Sequence, residues 1–348
     1  MPSALRIVDA GLMTTVQDLG RPGYQHLGIP VSGALDPVGL RAANLIAGNP
    51  PNTGALEIAY LGPTFAVEAE SVRLAFAGAA APIDLSAGGT TRRLALLQSF
   101  CARKGETVRV GALGGGAVLY LAVEGGFDIA PVLGSRSTLT RAALGGFQGR
   151  ALRPGDRIPL AWPQAPQRDE LLLPALDLTP PKRFRVVLGP QDDYFTANGI
   201  RTLLASAYTV AHACDRMGMR LEGPALEHAK GYNIVSDGIA PGSIQVPGDG
   251  RPIVLLADRQ TTGGYPKVAT VISADLPALG RLTPGAKVAF AAVDIEAAEA
   301  AHRHLMAALA SLPRRIVAAR PIAAIDETRL MEANLVGGVV DACNDAFP

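Results

Sequence analysis

Cysteine is scarce and badly spaced for a structural role. The chain has 3 Cys, at positions 101, 214 and 343, odd in number and far apart. That pattern signals neither a disulfide framework nor a zinc cluster, and it fits a reducing, cytoplasmic setting. Charge of one sign is not in excess: 32 Lys and Arg stand against 31 Asp and Glu, so the basic footprint of a nucleic-acid binder is missing. No stretch approaches the roughly 18 consecutive apolar residues of a membrane span, and the N-terminus lacks the basic, apolar and small-residue regions of an export signal. Familiar fingerprints are missing too. There is no GxxxxGK[ST], GxSxG or HExxH, and GALGGGA from Gly111 lacks the GxGxxG spacing. His302 and His304 stand two apart on a predicted helix and point to different faces, so no metal ligand set is expected.

What is present is 48% hydrophobic residues with 39 Gly and 27 Pro spread along 348 positions. Short apolar runs between turn formers predict a mainly β protein with few helices. Strands are expected at VRLAFAG from Val72, RLALLQSF from Arg93, TVRVGA from Thr107, AVLYLAV from Ala117, RFRVVLG from Arg183, SIQVPG from Ser243 and PIVLLAD from Pro252. A helix should begin at Asp36 as N-cap with Pro37 in its first turn and stop before Gly48. A second is predicted from about Asp192 through FTANGIRTLLASA, with Gly199 as a weak point, and a third from Asp294 to Leu312 with Pro313 just past its end. KGETVRVGALGGGAVLYLAVEGGF from Lys104 returns loosely as APGSIQVPGDGRPIVLLADRQTTGGY from Ala240, which predicts two copies of one β unit with a cleft between them. The expected divisions are 1–165 for the first unit, 166–182 for a Pro-rich linker, 183–293 for the second unit and 294–348 for a C-terminal helix and tail.

Two loops carry most of the chemistry-bearing residues. The first, QDLGRPGYQHLGIPVSGALD from Gln17, sets Arg21, Tyr24, His26 and Ser32 on a backbone stiffened by Gly and Pro. The second, DRQTTGGYPK from Asp258, offers Asp258, Arg259, Gln260, Thr261, Tyr265 and Lys267 around Gly263 and Gly264, whereas the matching turn in the first copy reads only VEGGF. Asp237 and Gln245 flank a further tight turn, and Asp215 with Arg216 is expected to form a local ion pair of scaffold type.

Together with LGSRSTLTRAALGG from Leu133, GPQDD from Gly189, DRMGMRLEGP from Asp215 and the long run VSDGIAPGSIQVPGDGRPIVLLADRQTTGGYPKVATVISADL, the chain from Leu5 to Phe290 resembles the allophanate hydrolase subunit 2 family. That family includes the C component of 5-oxoprolinase (KipA-like proteins) and half of the carboxyltransferase domain of urea carboxylase. The tail ANLVGGVVDA from Ala333 is similar as well, while Ala286 stands at a turn where the family usually has Asp. The resemblance implies tandem, pseudo-symmetric cyclophilin-like β barrels with a site between them. It implies partners: an allophanate hydrolase subunit 1 (KipI-like) protein and a protein like the A component of 5-oxoprolinase. The function it favours is that of a bacterial, ATP-dependent 5-oxoprolinase subunit that works in complex and opens the lactam of 5-oxoproline to glutamate, with ATP and Mg2+ shared with the KipI-like partner. Within the matched motifs Asp258, Lys267 and His26 are the expected catalytic residues. Arg21, Tyr24, Ser32, Asp237, Gln245, Arg259, Gln260, Thr261 and Tyr265 are expected to bind substrate or nucleotide, Asp237 and Asp258 being the carboxylates to hold magnesium or polarise the substrate. Asp258→Ala is expected to stop turnover with little change in thermal midpoint. Two alternatives stay open. One is the carboxyltransferase component of a biotin-dependent carboxylase, although the sequence has no Ala-Met-Lys-Met carrier site; the other is a non-catalytic KipA-like regulator that sequesters its partner.

Overall fold

Ser71–Ala80 and Gly114–Val123 are the longest strands, and both are buried along most of their length. Burial on both faces is why they read as continuous apolar runs and not as alternating ones. They pair antiparallel at the centre of a five-stranded sheet in the order Met13–Gln17, Ala55–Ala59, Gly114–Val123, Ser71–Ala80, Ser99–Arg103. A six-stranded sheet runs Arg157–Pro159, Ala4–Asp9, Thr64–Val67, Thr107–Val110, Ile83–Ala87, Thr90–Arg93. Between the sheets lies one core containing Ile7, Phe65, Leu74, Phe76, Leu119 and Leu121. The computed structural model describes residues 3–319. The tail ANLVGGVVDA and most of the region beyond the last helix therefore lie outside the described residues.

The second half closes on itself. Phe184–Leu188, Lys267–Val271, Ser243–Gln245, Ile253–Leu255, Gly218–Glu222, Ala207–Cys214 and Lys287–Ala292 form a seven-stranded barrel, sealed by the parallel pairing of Phe184–Leu188 with Lys287–Ala292. Closure removes free strand edges. Phe184, Tyr208, Leu221, Val254 and Phe290 fill its interior. The mainly β, tandem architecture expected from the sequence is present. One predicted strand is not continuous: RLALLQSF is interrupted, because the chain leaves the sheet after Arg93, Leu97 turns with φ 60°, and pairing resumes at Ser99.

Four helices lie outside the sheets among the described residues. In α1 (Pro37–Ala47) the Asp36 side chain accepts from Val38 N at 3.0 Å, and Gly48 ends the helix at φ 87°, as its sequence signals require. Alanines at 75, 77, 117 and 122 let α1 pack closely on the five-stranded sheet. Helix α2 (Ala197–Ala205) is capped by Thr196; its Gly199 is a close-packing residue, since a Cβ there would stand 2.6 Å from Glu227 O. Helix α3 spans Leu276–Gly280. Helix α4 (Ile295–Arg315) outruns its predicted end, with Pro313 inside its last turn; so near the terminus, the missing N–H costs a single hydrogen bond. Among the described residues no helix is long and apolar enough to cross a membrane.

The halves meet along the opening loop and α3. A Cβ on Gly280 would lie 2.3 Å from Leu35 O, so only glycine lets α3 approach this closely. Ala117 N donates to Arg281 O at 2.8 Å, and Arg281 pairs with the buried Asp36 carboxylate at 3.0 Å.

Candidate functional site

The opening loop is rigid because Asp18 organises it. Its carboxylate accepts from Ser135 Oγ and Ser137 Oγ, both at 2.6 Å, from Arg136 N at 2.6 Å and from Gly20 N at 2.8 Å. Gln17 Nε2 adds a bond to Thr138 O at 3.1 Å. Two motifs separated by more than a hundred residues, the opening loop and SRST, are thus fixed to each other. Arg21 is sealed inside this junction, where Nη2 donates to Ser137 O. Burial lowers its pKa, opposed by the charges of Asp18 and Asp258.

Ser32 leaves the loop with φ 57° and joins the second half: its hydroxyl donates to Asp258 Oδ1 at 2.5 Å. The same carboxylate accepts two bonds from Arg216, Nε to Oδ2 at 2.8 Å and Nη2 to Oδ1 at 3.0 Å. Arg216 continues across the junction to the Glu57 carboxylate and to Gly33 O, the latter at 2.6 Å. Glu57 also accepts from Tyr120 Oη at 2.6 Å and from Leu35 N at 2.8 Å. One guanidinium thus binds two buried carboxylates contributed by the two halves. Burial works against the Arg216 charge, but Glu57 and Asp258 outweigh it and raise its pKa above the ordinary arginine value. For Tyr120, burial and then the Glu57 and Asp36 charges push the phenol well above its usual range.

Arg216 therefore does not pair with its neighbour Asp215 as expected. Asp215 reaches Arg141 of the first half, at 3.0 Å. Both residues lie in the turn between Ala207–Cys214 and Gly218–Glu222, where Asp215 Oδ1 accepts from Met217 N at 2.7 Å and Gly218 N at 3.1 Å, which leaves Oδ2 to Arg141.

Two cavities flank this network. One, of about 480 Å³, is lined by Arg141, Asp215, Arg220, Gln245, Gln260 and Tyr265 among others. Gln260 Nε2 donates to Gln245 Oε1 at 3.2 Å, fixing both amides in its wall. The other, of about 260 Å³, is mostly apolar, with Leu12, Met13 and Tyr60 on one side and Met219 on the other, and with Glu57 and Arg216 in its lining. Cys214 and Asp215 border both.

Of the expected site residues, Gln245, Gln260 and Tyr265 share the larger cavity. Lys267 and Asp237 form a pair at 2.7 Å beside Gln191, whose Nε2 reaches Asp237 at 3.2 Å. The hydrogen bond from Lys267, then those from Gly238 N and Gln191, holds the Asp237 carboxyl below the usual range. Asp258 and Ser32 belong to the junction network. Thr261 is half-buried, and its carbonyl accepts from Ile239 N at 3.0 Å. Arg259 turns away into the interior. Tyr24 and His26 are not brought to these groups through any side-chain hydrogen bond: His26 is exposed on the short 3-10 segment Gln25–Leu27, preceded by Tyr24. Glu57, Tyr120, Arg141, Arg216 and Arg220 are at the site although the sequence alone did not single them out for it. Glu57 had a legible signal, a lone carboxylate in the apolar strand ALEIA.

The fit of a resident magnesium ion is poor. Among the described residues no three His, Cys, Asp or Glu side chains gather as a metal site. The oxygens of Asp258 already accept from Arg216 and Ser32, and those of Asp237 from Lys267, Gln191 and Gly238 N.

Comparison with known proteins agrees with this architecture. Residues 27–292 match the family described as carboxyltransferase domain, subdomain A and B. The chain is 37% identical over 296 residues to the C component of 5-oxoprolinase from Escherichia coli (strain K12), a match covering 84% of this chain and 93% of that protein. It is 30% identical over 332 residues to urea amidolyase of Saccharomyces cerevisiae, covering 89% of this chain but 18% of the yeast protein. It superposes on the crystal structure of Kluyveromyces lactis urea carboxylase with a TM-score of 0.80 and 29% identity, covering 89% of this chain and 29% of that one. Since the match takes in both halves and the junction between them, the chain belongs to the carboxyltransferase domain, subdomain A and B, family.

Proposed function

We propose that this chain is one component of an ATP-dependent 5-oxoprolinase and supplies part of the site where the lactam of 5-oxoproline is activated and opened to glutamate. In this reading it works with a KipI-like protein, the B component, together with a protein like the A component. The observation that carries it is coverage: the similarity extends over 93% of the C component of a known 5-oxoprolinase. The larger cavity suits such a substrate chemically. A lactam presents one N–H and one carbonyl, and the paired amides of Gln245 and Gln260 offer both a donor and an acceptor. Arg220 lines the same cavity and has no partner among the described residues, so its charge is available to the carboxylate of an anionic substrate. Arg216, between the lining residues Asp215 and Met217, is held by Asp258, and rigid walls reduce the entropy lost when ligand is held. ATP would supply the phosphoryl group that activates the amide oxygen.

The test is reconstitution of the purified protein with its partner proteins, with ATP hydrolysis measured with and without 5-oxoproline. Hydrolysis that rises with 5-oxoproline only when this chain is present is the expected result. Consumption that stays flat with every component added eliminates the reading. A second reading, the carboxyltransferase component of a biotin-dependent carboxylase, is favoured by the superposition on urea carboxylase. Carboxyl transfer from a carboxylated biotin carrier to urea or a related amide, stimulated by this chain, would select it instead.

A further inference from the structure

The residues that follow Gly114–Val123 line a cleft lying wholly in the first half. Gly125, Gly126 and Phe127 of VEGGF form one side, facing the loop 48–54 and the short stretch 161–162. Its volume is about 450 Å³, within the roughly 300–1,000 Å³ of small-molecule sites, and it shares no lining residue with the larger cavity.

The cleft carries polar and aromatic groups that the fold leaves unused. Trp162, the chain's one tryptophan, is 44% exposed. One face of its ring rests on Gly125: a Cβ there would lie 2.5 Å from Cδ2 and 2.9 Å from both Cε2 and Cε3, so only glycine fits beneath the indole. Arg136 and Asp128 line the same space, yet among the described residues neither forms an ion pair, with the other or elsewhere. Arg136 Nε donates to Ile129 O at 2.7 Å, while Nη1 and Nη2 have no acceptor in the protein and are not buried. Asp128 is exposed, and its carboxylate has no hydrogen-bond partner among the described residues. Asn52 Oδ1 accepts from Leu19 N at 2.9 Å, which leaves Nδ2 to donate outward. Arg136 N is bound to Asp18 at 2.6 Å, so both polar arms are anchored to the opening loop before any ligand arrives.

One guanidinium stands against one carboxylate in this lining, so the cleft favours neither sign of net charge. It offers donors from Arg136 and Asn52 and acceptors from Asp128 around an aromatic ring. A zwitterion would use the two charges and leave the indole and the Asn52 amide idle. A neutral ring with an apolar face and a rim of hydroxyls uses all of them. The geometry points to a sugar-binding site, in which the C–H face of a pyranose stacks on Trp162 while its hydroxyls donate to Asp128 and accept from Arg136 and Asn52.

Trp162 reports on its own site. Its emission in the full-length protein should change saturably with at least one of methyl β-D-glucopyranoside, methyl β-D-galactopyranoside and methyl α-D-mannopyranoside. Glycerol, which has hydroxyls but no ring, should not reproduce the change. Asp128→Ala is expected to bind the effective glycoside at least about fivefold more weakly and to melt as the wild type does, because the carboxylate it removes has no partner. Trp162→Ala is expected to lose the saturation-transfer NMR signal of the glycoside; should it not fold, Asp128→Ala decides alone. No saturable change with any of the three below about 100 mM, an equal change with glycerol, tighter binding of L-alanine than of every glycoside, or wild-type affinity in either variant overturns the proposal. None of these outcomes bears on 5-oxoproline-dependent ATP hydrolysis, so the two readings fail separately.

Discussion

Glu124 in VEGGF and Asp258 in DRQTTGGY follow the strands Gly114–Val123 and Ile253–Leu255 in the two halves, and both are buried carboxylates bound to arginine. Their surroundings differ. Glu124 pairs with Arg73 at 2.5 Å and Arg168 at 2.7 Å, and Arg73 also binds Glu170 at 3.0 Å, so this cluster ties the first half to the connection that follows it. Asp258 shares Arg216 with Glu57 of the first half and takes a proton donor, Ser32, from the opening loop. The first cluster fastens a chain connection; the second fastens the two halves beside two cavities. A buried arginine–carboxylate pair therefore says little about function until its place in the fold is known.

The largest effect is expected where that contrast is broken outright. Arg216→Met strands Glu57 and Asp258 as buried carboxylates without a cation, a loss of about 3–5 kcal/mol for a broken buried pair, and should also remove 5-oxoproline-dependent turnover. Chemical denaturation and the reconstituted assay measure the two. Arg73→Met should cost a similar amount, about 3 kcal/mol, yet leave turnover per folded molecule unchanged at temperatures below its unfolding. Equal loss of turnover in both variants would erase the distinction drawn between the clusters.

Asp258→Asn sharpens the comparison. The sequence suggested that a change at Asp258 would spare stability, but its side chain accepts from Arg216 and Ser32 in a buried setting. About 1–3 kcal/mol should be lost along with turnover, read as a shift of the denaturation midpoint. Gln260→Ala should raise KM about tenfold through loss of one oriented amide, with stability within about 0.5 kcal/mol of wild type. The pH dependence is read at Asp237, the counter-ion of the buried Lys267. Its carboxyl is held below the usual range by Lys267, so its contribution is present above the unfolded value near 4 and is lost as pH falls through the folded value. Asp237→Asn should flatten the acid-side slope of stability between about pH 5 and 3, as followed by thermal melts.

Much of the local structure was legible. Asp36, Pro37 and Gly48 marked both ends of α1, and the long apolar runs marked the two central strands. The exceptions were local competitions. RLALLQSF has the composition of a strand, but Leu97 takes a left-handed turn, and Pro313 is tolerated because only the end of α4 follows it. Site residues were legible as candidates and not as a constellation. Gln245, Gln260 and Tyr265 do gather, whereas His26 stays on an exposed turn and Arg259 turns into the interior.

Turn chemistry, capping and apolar periodicity act over a few residues, so the sequence by itself determined the β-rich character, the starts of α1 and α4 and the polar loops, whereas the helix expected from Asp192 starts only at Ala197, after a 3-10 turn. Pairing of charges acts across space. Which carboxylate Arg216 would bind and whether Asp215 would take Arg216 or Arg141 were decided only when the barrel and the opening loop came together. Distance through the folded chain sets electrostatic energy, and neighbours along the backbone carry no such information.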